Sequence, residues 1–258
     1  MGRRNKKGDK VDGWVNLDKP LGLTSTQAVG KIRRIMNGQK VGHAGTLDPL
    51  ATGVLPIALG EATKTIPYMQ DALKGYEFTV TWGQQRSTDD AEGEVLLESN
   101  NRPTREAIEA VLPLFMGDIT QVPPKFSAVK IDGQRAYDLA RKGEEVAIKS
   151  REVYIESLEL LDSDSNTATF TVTCGKGTYV RSIARDMALQ MDTYGYVSAL
   201  KRTAVGAFHI DDTISLEVLE KLEHIPAREA ALKPVQVVLD DIPALEIQAG
   251  EITVLRNG

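Results

Sequence analysis

Gly42-His-Ala-Gly-Thr-Leu-Asp-Pro-Leu-Ala-Thr-Gly53 is the most unusual stretch of this 258-residue chain. Three glycines in twelve residues permit close backbone approach, and His43 and Asp48 are the only ring base and carboxylate in it. Upstream, Thr24-Ser-Thr-Gln27 has capping-box spacing, followed by Val29, Ile32 and Met36 at helical intervals. Lys31, Arg33 and Arg34 fill the other positions and Gly38 suits the C-terminal cap, which predicts a basic amphipathic helix. Downstream, Val54-Leu-Pro-Ile-Ala-Leu59 reads as a buried strand. A loop wedged between an apolar helix face and an apolar strand is held rigidly. On spacing alone it stays open to two readings: a set of turns with Asp48 before Pro49 as a turn or cap residue, or a rigid catalytic loop.

Further out, Gly13-Trp-Val-Asn-Leu17 reads as a short strand ended by the turn residues Lys19-Pro-Leu-Gly22. Tyr76, Phe78, Val80 and Trp82 alternate with Glu77, Thr79 and Thr81, the period of a half-buried strand. Residues 84–93 read as a polar loop and 104–115 as a helix after Pro103. Residues 126–131 read as a strand closed by Asp132-Gly133, and 134–142 as a helix. Strands are expected over 153–161 and 167–174, then a helix over 179–190 with Val180, Ile183, Ala184 and Met187 on one face. Strands and helices alternate without a regular βαβ repeat, which predicts an α+β domain over residues 11–240, with a mixed, largely antiparallel sheet flanked by helices.

Charge argues at first against a nucleic-acid partner, because 31 Lys+Arg stand against 36 Asp+Glu for a formal net charge of −5. The segments disagree with that sum. Residues 1–70 carry 11 basic and 5 acidic side chains, 123–151 carry 7 and 4, and 174–206 carry 5 and 2, whereas 207–258 carry 4 and 10. Each basic block read alone is a solvated face; together they fit one basic cleft on a molecule with an acidic back. A single cysteine, Cys174, excludes an internal disulfide, and with only His43, His209 and His224 beside it a metal centre is not expected. The basic stretch 1–10 lacks an apolar segment behind it and reads as a disordered cytoplasmic tail.

The segment Gly42–Gly53 closely resembles the signature loop of the TruB-type tRNA pseudouridine synthases, Gly-His-x-Gly-(Thr/Ser/Ala)-Leu-Asp-Pro-x-Ala-x-Gly. Of its fixed positions the chain carries Gly42, His43, Gly45, Leu47, Asp48, Pro49 and Gly53. Four further stretches resemble the family's motifs in the same order. They are Asn16–Ser25, Val122–Lys130 with Arg135–Arg141, Cys174–Arg181, and Leu200-Lys-Arg-Thr-x-x-Gly-x-Phe208.

The resemblance implies a pseudouridine-synthase-like catalytic domain that converts uridine 55 in the T loop of tRNA to pseudouridine. That isomerisation breaks a C–N bond, turns the uracil and remakes the bond through carbon, so neither cofactor nor metal is implied. By motif position Asp48 is the essential carboxylate and Arg181 pairs with and orients it. Tyr76 stacks on the flipped base, Tyr179 lies on the base's other side with its hydroxyl near sugar or uracil, and Leu200 walls the pocket. His43 is assigned to RNA binding, not to base catalysis. Lys19, Lys64 and Lys130 fall on family-like positions suited to RNA backbone contact. The implied partner is the tRNA T-arm, with no membrane, no obligatory protein partner and a monomeric enzyme.

Two departures leave the proposed catalytic groups in place: Ala44, where a hydroxyl or β-branched residue is common, and Tyr196, where a polar residue is often found. The C-terminus departs further. Residues 241–258 resemble only the approach to, or first strand of, a small RNA-binding domain of the PUA type, so contact with the acceptor end of tRNA is not assured. Two other readings use the same residues. A non-enzymatic RNA-binding protein would bind tRNA regardless of Asp48, and a hydrolase using His43 and Asp48 lacks the expected nucleophile–base–orienter set.

Overall fold

In the computed structural model the described residues are 8–127, 130–131, 134–135, 148–222, 228, 230–240, 242–243, 245 and 252. The first part of the chain forms β1 (Gly13–Lys19), α1 (Ser25–Ile35), β2 (Val41–His43), β3 (Ala51–Leu59) and β4 (Lys74–Trp82). Next come β5 (Gln84–Arg86), β6 (Val95–Glu98), α2 (Arg105–Val111), β7 (Gly117–Gln121), β8 (Lys130–Ile131) and β9 (Gln134–Arg135). The remainder supplies β10 (Arg151–Ser163), β11 (Thr167–Cys174), α3 (Val180–Gln190), β12 (Gly195–Val205), β13 (Phe208–His209), β14 (Ile214–Ser215) and α4 (Leu216–Lys221).

One ten-stranded sheet runs β14-β1-β3-β12-β4-β11-β10-β7, with β2 on β3 and β13 on β12. Only β1–β14 and β3–β12 pair in parallel, so the expected mixed, largely antiparallel sheet is observed. The alternation in β4 puts Phe78, Val80 and Trp82 on one face, and α3 covers it with Ile183, Ala184, Met187 and Ala188, all with zero exposure. Phe78 stacks on Phe170 of β11 across this core. A smaller cluster around Trp14, Val54, Ala58 and Phe208 completes the apolar interior.

Helix α1 starts as its sequence dictates: Thr24 and Gln27 exchange both capping-box bonds. Its end differs from expectation. Asn37, at φ 47°, takes the left-handed position, and Gly38 donates its N–H to Arg33, so asparagine does the work that Gly38 was expected to do. The helix after Pro103 is shorter than the periodicity implies, because Pro113 turns Leu112–Phe115 into a 3-10 segment.

Other boundaries move as well. The loop around Asp48 shrinks to residues 44–50 because β2 and β3 take both flanks. Within the supposed polar loop, Gln84–Arg86 pairs with Val95–Glu98 as a hairpin. Among the described residues of the strand expected over 126–131, Lys130–Ile131 is in strand and Phe126–Ser127 is not, and Gln134–Arg135, expected as helix, is the pairing partner. Residues 136–142 and the turn pair Asp132-Gly133 lie outside the described residues. Within the stretch 1–10 expected as a disordered tail, the Asp9 N–H donates to the Asn37 carbonyl and Gln39 donates to the Gly8 carbonyl, while residues 1–7 lie outside the described residues. Most of 241–258 lies outside the described residues.

Candidate active site

The loop 44–50 is fastened at both ends and from beneath. Ser25 at the start of α1 accepts from the Leu47 N–H at 2.8 Å and donates to the Leu47 carbonyl at 3.0 Å. The Ala51 N–H reaches the Asp48 carbonyl at 3.0 Å and leads directly into β3. Lys19, which the sequence placed on RNA, is instead fully buried. Its ammonium donates to the carbonyls of Pro20, Leu23 and Pro49, the last residue adjoining Asp48. Three convergent carbonyls explain why a lysine sits there; burial lowers its pKa to about 8, with the Asp48 charge acting the other way.

Arg181 lies in the first turn of α3, 5% exposed, and gathers three segments. Nη2 meets Asp48 Oδ2 at 2.8 Å and donates to the Phe126 carbonyl at 3.1 Å. Nη1 meets Asp90 Oδ2 at 3.1 Å and donates to the Thr88 carbonyl at 2.9 Å. The Asp48 side chain keeps 38% exposure, so the pair has one buried cation and one carboxylate with an open face. Such a group can be held in orientation by arginine while presenting its free side to a bound molecule.

The rest of the helix start supports this. Gln121 is almost wholly buried and clamps Tyr179 by both ends of its amide, donating to the Tyr179 carbonyl at 3.1 Å and accepting its N–H at 2.8 Å. Ser182 donates to the Val122 carbonyl, and Arg185 bridges Val122 and Asp89. The first two turns of α3 thus pin the loops 88–90 and 121–126 as well as Asp48.

Tyr76 is half-buried on β4, opposite Arg202 of β12, and burial raises its phenol pKa while the Arg202 charge opposes the shift. Leu200, 9% exposed, walls a cavity of about 240 Å³ with Leu21, Leu50 and Phe78; Asp48 is not part of that lining. Tyr179 carries the Arg151 guanidinium 4.8 Å above its ring centroid. His43 is half-buried at the end of β2, its Nδ1 without a partner and its pKa lowered by burial and then by Arg202. Lys64 is exposed and paired with Glu61. The Lys130 side chain lies outside the described residues.

Two residues of this arrangement escaped the sequence reading. Asp90 sits in a stretch read as polar loop, and nothing in its local sequence marks it for burial. Arg202 did carry a signal. Two positions beyond Leu200 on a strand, it shares that residue's face. Among the described residues no cluster of three His, Cys, Asp or Glu side chains could hold a metal ion, and no helix is long and apolar enough to cross a membrane.

This mixed, largely antiparallel sheet with its few helices is the pseudouridine synthase fold. The chain aligns with the structure of a Cbf5-Nop10-Gar1 complex at a TM-score of 0.74 and 27% identity, covering 95% of this chain and 67% of that one. Residues 33–180 match the N-terminal domain of the TruB family pseudouridylate synthases. The chain is 55% identical over 256 residues to tRNA pseudouridine synthase B of Caulobacter vibrioides, covering 99% of this chain and 83% of the relative. Against the Agrobacterium fabrum protein of the same name it is 55% identical over 239 residues, covering 92% and 76%. It belongs to the TruB family of pseudouridylate synthases.

Proposed function

We propose that this chain isomerises uridine to pseudouridine at position 55 in the T loop of tRNA, in the cytoplasm and without a cofactor, with residues 11–240 as the catalytic domain. The observation that carries this reading is the Asp48–Arg181 pair: a carboxylate fixed at 2.8 Å by a buried guanidinium, on a loop tied down at Ser25, Lys19 and Ala51, with one face open. Its identity with relatives named for the tRNA reaction supports the choice of substrate.

The reaction asks little else of a protein. The C1′–N1 bond breaks, uracil turns within the site, C1′ bonds to C5, and the C5 proton leaves while N1 regains one, so atoms balance without an outside reactant. Asp48 acts at the sugar–base junction, as nucleophile or as base toward a sugar proton. The target must leave its stack first, and the half-buried Tyr76 ring receives the base while Leu200 closes one side. Tyr179 borders the sugar and uracil edge, and His43, half-buried beside the loop, supports the flipped RNA. Lys64 and Lys130 contact the backbone, so affinity falls as salt rises.

Nucleoside analysis of unmodified tRNA after incubation with the protein tests this. Pseudouridine forms at the T-loop site with wild type and is absent with Asp48→Asn, while tRNA binding persists. Wild-type protein that binds tRNA yet leaves every uridine unchanged overturns the reading.

A further inference from the structure

A second guanidinium lies beneath the Asp48 loop, and neither the Arg181 network nor an ion pair among the described residues accounts for it. Arg202 is 1% exposed. Its Nε donates to the Val54 carbonyl at 2.7 Å, and its two Nη groups donate to the Gly45 and Thr46 carbonyls at 3.3 and 3.4 Å. Among the described residues no carboxylate stands within 4.0 Å of it.

Two of the signature glycines lie against this residue, Gly53 in the tighter fit. Gly53 has φ +93°, and a Cβ there would stand 2.3 Å from the Arg202 carbonyl oxygen. Gly45 has φ +103°, and a Cβ there would stand 3.5 Å from Arg202 Nη1. These two positions let β3 lie alongside β12 and let the loop fold over the guanidinium. Thr46, whose carbonyl it holds, is two residues before Asp48. In the β12–β4 pairing Arg202 stands directly opposite Tyr76.

We propose that Arg202 is a positioning residue for the isomerisation: its guanidinium locks the Gly45, Thr46 and Val54 carbonyls from the strand position opposite Tyr76, and so sets Asp48 on Arg181 in register with the ring that receives the base. The proposal rests on the function given above. A planar fork with donors in fixed directions can tie several carbonyls at once, which a lysine ammonium on a flexible stem cannot. Because oxygen dipoles and not a carboxylate surround it, its charge remains felt nearby. It acts to lower the pKa values of His43, Lys19 and Lys74.

Arg202→Met and Arg202→Lys, made in the full chain, test this with three measurements beside a thermal melt: single-turnover pseudouridine formation, the Kd for tRNA, and an NMR titration of His43. Arg202→Met slows the single-turnover step about 100-fold, the scale of a misplaced reacting group, while tRNA Kd changes by less than about threefold. Its His43 midpoint moves up, and Arg202→Lys has an intermediate rate. A wild-type rate in folded Arg202→Met, a rate loss matched by an equal loss of tRNA affinity, or an unmoved His43 midpoint overturns the proposal. If Arg202→Met does not fold, Arg202→Lys carries the same readouts, with a wild-type rate as the overturning result. Failure of wild type to make pseudouridine instead counts against the proposed function, and the His43 titration reads the reach of Arg202 with no reaction at all.

Discussion

Arg181 and Arg202 grip the same loop from two sides, and their charges are answered in opposite ways. Arg181 faces two carboxylates, one nearly buried and one open to solvent. Arg202 donates to three backbone carbonyls, and among the described residues it has no carboxylate partner. Carboxylates neutralise a cation and carbonyls only solvate it, so the first arrangement fixes a charged pair and the second fixes a backbone shape. A loop that must present one carboxylate in one place needs both.

Removing the cation from the first arrangement has the largest expected effect. Arg181→Met leaves Asp90, with a side chain 3% exposed, buried without its partner. Breaking such a pair costs about 3–5 kcal/mol, read as a lower urea midpoint, and Asp48 loses its orientation, so pseudouridine formation stops. The more exposed Asp48 leg adds little to that figure, because solvent screens it. An unchanged urea midpoint would show that the two arginines do not differ as described.

Steric change at the second arrangement comes next. Gly53→Ala forces a Cβ onto the Arg202 carbonyl in a left-handed conformation, whereas Gly22, at φ +78°, has no atom within 4 Å of the equivalent Cβ. Gly22→Ala therefore reports backbone strain alone, of order 1 kcal/mol. Gly53→Ala adds a packing clash of about 1–3 kcal/mol and separates β3 from β12. Equal melting shifts for the two variants would deny that the signature loop is shaped against Arg202. Asp90→Asn is milder again: it leaves a neutral oxygen for Arg181, lowering stability by about 1–2 kcal/mol, with tRNA Kd unchanged.

How far the residues announced this follows from the same contrast. Asp48 and Arg181 were legible through motif order, and they do meet at 2.8 Å. The helix α3 and strands β10 and β11 were legible through period, because their apolar residues repeat at 3.6 and 2. Hairpin β5–β6 was not, since Gln84-Gln-Arg86 carries none of the branched or aromatic residues that mark a strand. Lys19 was misread because a lysine is ordinarily solvated, whereas here the chain turns back so that the carbonyls of Pro20 and Leu23 hold the ammonium inside, with that of Pro49 beside them. Arg202 and Asp90 owe their roles to cross-strand register and loop closure, which no local window contains.

Lys19 supplies the smallest and most discriminating test, because it resembles Arg202 in being held by carbonyls but, unlike arginine, can release its proton. Folded, its pKa is about 8; in the unfolded chain it returns toward 10.5. Between those values the unfolded state holds the extra proton, so this group makes stability rise with pH, by up to about 1.4 kcal/mol per unit. Cys174 works the other way. Burial raises its pKa from 9.0 to about 11, so its contribution is lost as pH rises through that range. Between pH 9 and 10.5 the two slopes oppose each other in the wild type, and Lys19→Met loses the rising one. Subtracting the two curves cancels Cys174, Lys74 and Tyr76 and leaves Lys19 alone. A difference that climbs between pH 8 and 10.5 marks a cation solvated by oxygen dipoles in a dry site; a flat difference means that the ammonium is reached by water and that carbonyls alone do not hold the loop.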